Sequence, residues 1–243
     1  MRIFPIASSS RGNAYVVEQG GDALLIDCGV SCRCLKAAVD LSRLRGVLIT
    51  HNHVDHVSGL KRLLNCVDVP IYANAMTAEA IAYQERVDEG AFVCFENGQP
   101  FEVGPFEVSP FSIPHDAADP VGYLVRGELT YFHGTDIGSP LDSIGVRLSE
   151  ADFATLESNH DSVMLRTSPR PPCLKQRISG PRGHLSNDQA CDLVRRFASP
   201  RLKRLWLAHL SHECNVPRLA LEAMRATLDE MGRTDVALEI AGG

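Results

Sequence analysis

The sequence predicts an α/β fold, a single domain spanning residues 1–243, with its chemistry gathered at strand ends. Three observations predict it. Short apolar runs bounded by turn residues alternate with stretches of helical periodicity. The length of 243 residues suits one domain of this class and is ample for a real core. Polar segments rich in histidine and aspartate repeatedly follow an apolar run, which is how α/β folds assemble a site.

Taken in order, residues 14–17 (Ala-Tyr-Val-Val), 23–26 (Ala-Leu-Leu-Ile) and 47–49 (Val-Leu-Ile) read as strands. Residues 101–108 alternate around Gly104-Pro105 like a hairpin, and 123–125 is a strand matched by 129–132 across Arg126-Gly127-Glu128. Residues 153–156 form another apolar run. Ser186 with Gln189 three positions later is a capping box, and Ala190, Leu193, Val194 and Phe197 then recur at helical spacing. A strand at 204–208 precedes a helical stripe of Leu221, Met224, Leu228 and Met231, which is core packing. Residues 236–240 close the chain as a strand.

Composition narrows the class. Hydrophobic residues make up 44 % and charged residues 22 %, the balance of a globular enzyme. The first residues contain no secretory h-region, and no apolar run approaches the ~18 residues of a membrane span. The expectation is therefore a cytoplasmic protein whose eight cysteines are free thiols. Cys28, Cys32 and Cys34 lie close in sequence and are either a second, structural metal site or small buried thiols. A net charge of −6 does not advertise nucleic-acid binding. One stretch departs from it: residues 162–187 carry Arg166, Arg170, Lys175, Arg177 and Arg182 with no acidic residue, and Pro169, Pro171, Pro172 and Pro181 as well. The prolines predict an ordered loop rather than a helix, serving as a solvated surface or as a phosphate-contacting rim.

The most specific segment is Thr50-His51-Asn52-His53-Val54-Asp55-His56, directly after the third apolar run. Residues two apart in an extended chain point to one side, so His51 and His53 can present two imidazoles to one cation. Asp55 and His56 lie where the chain must turn and address a neighbouring position. Imidazole and carboxylate are ligands for zinc, iron and manganese. Further ligands are sought in the other strand-end segments: His115-Asp116, Asp136, Glu157 with His160, and His209. His133 stands near Asp136 as an alternative to His115.

On these motifs the chain resembles the metallo-β-lactamase-fold hydrolases nearly end to end. The His-x-His-x-Asp-His signature falls at His51, His53, Asp55 and His56, and the later histidine, bridging aspartate and last histidine fall at His115, Asp136 and His209. The resemblance implies a four-layer αββα sandwich holding two divalent ions. One ion would be bound by His51, His53 and His115, the other by Asp55, His56 and His209, with Asp136 between them. Gly122-Tyr123, Gly134-Thr135-Asp136, Gly183-His184-Leu185-Ser186 and Leu207-Ala208-His209-Leu210-Ser211 are similar to motifs of RNase Z and the cyclic phosphodiesterases. The Ser211-His212-Glu213-Cys214 ending departs from RNase Z, and no arm for tRNA is present. Asn13 in Ser-Ser-Ser-Arg-Gly-Asn, the segments 157–161 and 174–178, and Gly183-His184-Leu185-Ser186-Asn187 resemble the WalJ/YycJ subfamily, a resemblance that implies a bacterial DNA exonuclease acting from the 5′ end.

The function this implies is phosphodiester hydrolysis in DNA. Two cations lower the pKa of water and neutralise charge on the phosphoryl oxygens. Asp55 would also orient the attacking water. His184 is the candidate general acid, or a residue that merely stabilises the turn before its helix, and Glu157 would hold its tautomer. Arg166, Lys175, Arg177, Arg182 and His160 are the candidate substrate contacts. A small-molecule hydrolase acting on a cyclic phosphodiester, thioester or lactam is the second reading. A metal-bound scaffold without turnover is the third, and any metal-dependent hydrolysis disposes of it.

Overall fold

The computed structural model describes residues 1–242, which form two compact units. The first comprises residues 1–112 and 117–128 with Gly242; the second comprises residues 113–116 and 129–241.

In the first unit, β1 (Arg2–Ser9), β2 (Gly12–Gln19), β3 (Asp22–Ile26), β4 (Leu44–Leu48), β5 (Ile71–Asn74) and β6 (Phe92–Phe95) form one mixed sheet in that order. β1, β2 and β3 pair antiparallel, β2 and β3 being joined by Gly20 and Gly21, both at the positive φ a tight turn demands. From β3 to β6 the pairing is parallel. Parallel strands need crossovers, and these are α1 (Cys32–Ala38), α2 (Val54–Val57) with α3 (Leu60–Leu64), and α4 (Ala75–Glu85). Ala14, Val16, Leu25, Val47 and Ile49 pack with Leu35, Leu60, Leu63, Ile71 and Ile81 in one core, burying one face of the sheet against the crossover helices. The alternate residues Tyr15, Leu24, Ile26 and Leu48 are fully buried too. That explains why these strands read as continuous apolar runs instead of alternating ones. β7 (Phe101–Val103), β8 (Phe106–Ser112) and β9 (Val121–Arg126) add an antiparallel meander.

The second unit is built on four parallel strands: β10 (Thr130–Gly134), β11 (Phe153–Glu157), β12 (Arg204–Ala208) and β13 (Ala237–Ile240). The connections contain α5 (Asp142–Leu148), α6 (Ser162–Thr167), α7 (Pro172–Ser179), α8 (Asn187–Phe197) and α9 (Pro217–Glu230). The register aligns Gly134 with Leu156 and Glu157 with Ala208, so the carboxyl ends of β10, β11 and β12 are level. Such ends are where α/β sheets place their sites.

The basic stretch 162–187 departs from the loop expected of it, forming α6 and α7. Pro171 is the N-cap of α7 and Pro172 its first residue, where a missing N–H removes no helical bond. Pro169 and Pro181 lie outside both helices. The Ser186 capping box and the helix it opens are as the spacing predicts. Among the described residues no helix is long and apolar enough to cross a membrane.

Candidate metal centre

The first set of donors lies where the chain leaves β4. Residues 49–53 lie between β4 and α2, and His53, extended at φ −67° and ψ 145°, is the N-cap of α2, so the turn falls between the two halves of the motif. His51 and His53 bring their rings to 4.6 Å between centroids, and His51 and His56 to 4.0 Å. His51 and His56 are buried, while His53 and Asp55 are half-buried. Room for this crowding comes from glycine: a Cβ on Gly29 would lie 1.6 Å from the Asp55 carbonyl oxygen, so backbone packs directly on the motif.

A buried network orients the imidazoles. Asp27, at the end of β3, accepts from the Thr50 N–H at 2.9 Å and from His56 Nδ1 at 2.7 Å. The Thr50 hydroxyl donates to the same carboxylate at 2.9–3.0 Å and accepts from His51 Nδ1 at 3.0 Å. A carboxylate only accepts, so both Nδ1 atoms carry the hydrogen and Nε2 becomes the electron-pair donor of each ring. Asn13 Nδ2 lies 3.1 Å from Asp55 Oδ2 and 3.0 Å from His56 Nε2.

The second set belongs to the other unit. His115 Nδ1 donates to the Gly183 carbonyl at 2.9 Å, again leaving Nε2 as the donor atom, 3.6 Å from Asp136 Oδ1. At the ends of β11 and β12, Glu157 organises four N–H groups. Its Oε1 accepts from His184 Nδ1 at 2.8 Å and His209 Nδ1 at 3.0 Å; its Oε2 accepts from the N–H of Ile137 at 2.7 Å and of Leu185 at 3.0 Å. Asp136 Oδ1 stands 3.6 Å from His184 Nδ1 and 3.4 Å from His209 Nδ1. Asp136, Glu157, His184 and His209 thus offer ligand atoms within 4.8 Å of one another. With both oxygens engaged, Glu157 is a positioning group. Burial opposes its ionisation, yet the His184 charge and the bonds from His184 and His209 hold its carboxyl down to about 2. Burial likewise opposes the charge on His184, and Glu157 outweighs it, raising the imidazole.

Backbone conformation marks the same positions. Asp27, Asp136 and His209 have φ of 58°, 58° and 56°, three of only five non-glycine residues at positive φ among those described. Strain of this kind, about 1–3 kcal/mol each, persists where surrounding bonds over-determine it and clusters at functional sites.

His133 is fully buried within β10 and bonds the Tyr131 hydroxyl, apart from every close group of potential ligands among the described residues. His160 is 2 % exposed, and its Nδ1 has no hydrogen-bond partner. Arg166 is exposed on α6, whose last turn carries its carbonyl to Lys175 Nζ at 2.8 Å. Arg177 pairs with Asp116, and Arg182 Nε donates to the His115 carbonyl at 3.0 Å, so two cationic side chains flank that candidate ligand. The orienting role of Asp27, and of Thr50 beside it, has no motif of its own in the sequence. The one signal for Asp27 is its place at the end of an apolar run, Leu24-Leu25-Ile26-Asp27, the context shared by the candidate ligand segments.

The donor chemistry fits divalent ions. Imidazoles whose Nδ1 is held by carboxylate, hydroxyl or carbonyl oxygen, beside carboxylates, are the clusters typical of a dinuclear metal site. Residues 23–210 match the beta-lactamase superfamily domain, and the chain belongs to the metallo-β-lactamase superfamily of hydrolases. It is 31 % identical over 244 residues to exodeoxyribonuclease WalJ of Streptococcus pneumoniae, covering 97 % of this chain and 90 % of that one. Exodeoxyribonuclease YycJ of Bacillus anthracis is 32 % identical over 236 residues, covering 93 % and 89 %. Among solved structures, the metallo-β-lactamase fold protein YhfI of Bacillus subtilis superposes with a TM-score of 0.76 at 20 % identity over 98 % of this chain and 95 % of that one, which shows the fold.

Proposed function

We propose that the two units act as one hydrolase domain, residues 1–243, that cleaves phosphodiester bonds in DNA as a 5′-to-3′ exonuclease. The observation that carries this reading is an intact set of pre-oriented donors in each unit of a chain similar, over almost its whole length, to two exodeoxyribonucleases. His51, His53 and His115 would hold one ion, and Asp55, His56 and His209 the other, with Asp136 shared. Zinc, manganese and iron all accept this donor set. Bound there, two such ions supply an acidified water and charge neutralisation for the phosphoryl oxygens.

The chain's own groups do the rest. Asp55 hydrogen-bonds the attacking water. His184, fixed through Nδ1 by Glu157, delivers a proton to the departing oxygen. Arg166, Lys175, Arg177, Arg182 and His160 contact the polynucleotide or support those contacts. Arg177 is already engaged by Asp116, which leaves Arg166 the better probe of the rim.

A time course on 5′- and 3′-end-labelled DNA, single- and double-stranded, with manganese or zinc, tests the assignment. Stepwise release from the 5′ end, lost in His53→Ala, is the expected result. Intact DNA beside metal-dependent turnover of bis-p-nitrophenyl phosphate would replace it with the small-molecule hydrolase, the reading that the net charge of −6 favours. His184→Ala should lower turnover by on the order of 10²–10⁴-fold with metal content unchanged; metal lost from this variant would make His184 a ligand. Arg166→Glu should raise KM for a polynucleotide more than for a small diester, and equal effects on both would remove α6 from the substrate path.

A further inference from the structure

We propose that Cys32 and Cys66 form a reversible dithiol–disulfide site on the first unit, oxidised by a hydroperoxide and restored by a thiol. Cys32 opens α1, and Cys66 lies in the turn after α3, 34 positions later in sequence. Their sulfurs stand 2.8 Å apart, against about 2.05 Å for a covalent disulfide, so closing the bond asks for little movement of either element. The pair carries no obvious structural metal: among the described residues no cluster of three potential ligands includes a cysteine.

The two thiols are unequal in a way that assigns their roles. Cys66 is exposed; a hydrogen bond from Cys32 and then the Lys36 charge favour its thiolate. Cys32 is half-buried, and burial followed by the bond it donates keeps it a thiol. Cys66 is therefore the attacking group and Cys32 the resolving one. The Cys66 thiolate attacks one peroxide oxygen and becomes a sulfenic acid, the other oxygen leaving as water after taking up a proton. Cys32 sulfur then displaces the sulfenic hydroxyl, which leaves as a second water. Two thiols and one hydrogen peroxide give one disulfide and two waters.

The neighbouring cysteines lack this geometry. Cys28 is buried and its thiol is pushed up to about 12 by burial, then by Asp27 and Cys32. Cys34 is exposed, and its sulfur accepts from the Ser31 hydroxyl at 3.2 Å. A Cys32–Cys66 bond would close a loop that contains His51 to His56. The segment leading into α1 is already fastened to that motif, Cys28 N–H to the His56 carbonyl at 2.7 Å and Gly59 N–H to the Cys28 carbonyl at 2.8 Å. Oxidation therefore braces the frame of the first donor set. It should raise Tm by about 8–15 °C.

The deciding experiment is non-reducing peptide mapping of the full chain after treatment with equimolar hydrogen peroxide. A Cys32–Cys66 linked peptide, two hydrogens lighter than its parts and released by dithiothreitol, is expected. Cys66→Ser should yield no linked peptide, Cys34→Ser should leave the link intact, and Cys32→Ser should leave a dimedone-reactive sulfenic acid at Cys66. Wild-type protein in which Cys66 oxidises without joining Cys32, or joins Cys34 or a second chain equally well, would overturn the assignment without recourse to any variant.

Discussion

Replacing Glu157 by alanine is expected to destabilise the protein by about 3–5 kcal/mol and to abolish hydrolysis. The carboxylate is fully buried and accepts from four donors, two imidazole N–H groups and two backbone N–H groups. Truncation leaves those donors buried without an acceptor, and each costs about 1–3 kcal/mol when nothing replaces the lost partner. Water entering the space restores part of this, which is why the sum is not fourfold. The same deletion releases the candidate general acid His184 and the candidate ligand His209 from one shared anchor, so activity falls further than the stability change alone accounts for. Urea denaturation of the two proteins, with metal content measured in parallel, gives both numbers. A stability loss under about 1 kcal/mol, the range of an ordinary surface change, would contradict the four-donor arrangement.

The candidate site was legible in the sequence wherever ligand chemistry is local. His51, His53, Asp55 and His56 lie within six positions, and a short segment running from β4 into the N-terminus of α2 is enough to bring their side chains together. The level strand ends of the second unit were legible too, because each polar group follows an apolar run and parallel register does the rest. What the sequence concealed are partners chosen by tertiary packing. Asp27 lies 29 positions from His56, and a single aspartate after a strand is as ordinary as a turn residue. Asn13 reads as turn chemistry, yet its side chain reaches Asp55 and His56 across 42 and 43 positions. The Cys32–Cys66 pair has no spacing signature at all. Proline misled in the opposite direction: a Pro-Pro pair signals a break in a chain already helical, but the same pair at a helix start fits the first turn.

The oxygens that orient the imidazoles share a physical role. Each candidate imidazole ligand with a described Nδ1 bond meets an oxygen there, whether Thr50, Asp27, Gly183 or Glu157. The ligands themselves specify which elements hold charge, and these oxygens specify which ring nitrogen offers its electron pair. Positive φ at Asp27, Asp136 and His209 belongs to the same economy of placement, since a left-handed residue at a strand end turns its side chain where a regular strand would not.

Asp27→Asn isolates that role with the least change in shape. Asparagine tolerates the left-handed backbone as aspartate does, so φ of 58° adds no new strain. The amide must nevertheless present one oxygen and one NH₂ where two accepting oxygens stood. With the oxygen toward the Thr50 N–H, the NH₂ faces His56 Nδ1 at a position now 2.7 Å away, and the ring must accept there. Its proton then moves to Nε2, which can no longer donate an electron pair to a cation. With the amide reversed, NH₂ faces the buried Thr50 N–H, and a donor opposes a donor at a cost of about 1–3 kcal/mol. Neither orientation keeps both bonds. The expected result is metal affinity lowered by on the order of 10²-fold, measured by chelator competition, with turnover falling in step and recovering at excess metal. A folded Asp27→Asn protein with unchanged affinity and turnover would show that His56 does not act through Nε2.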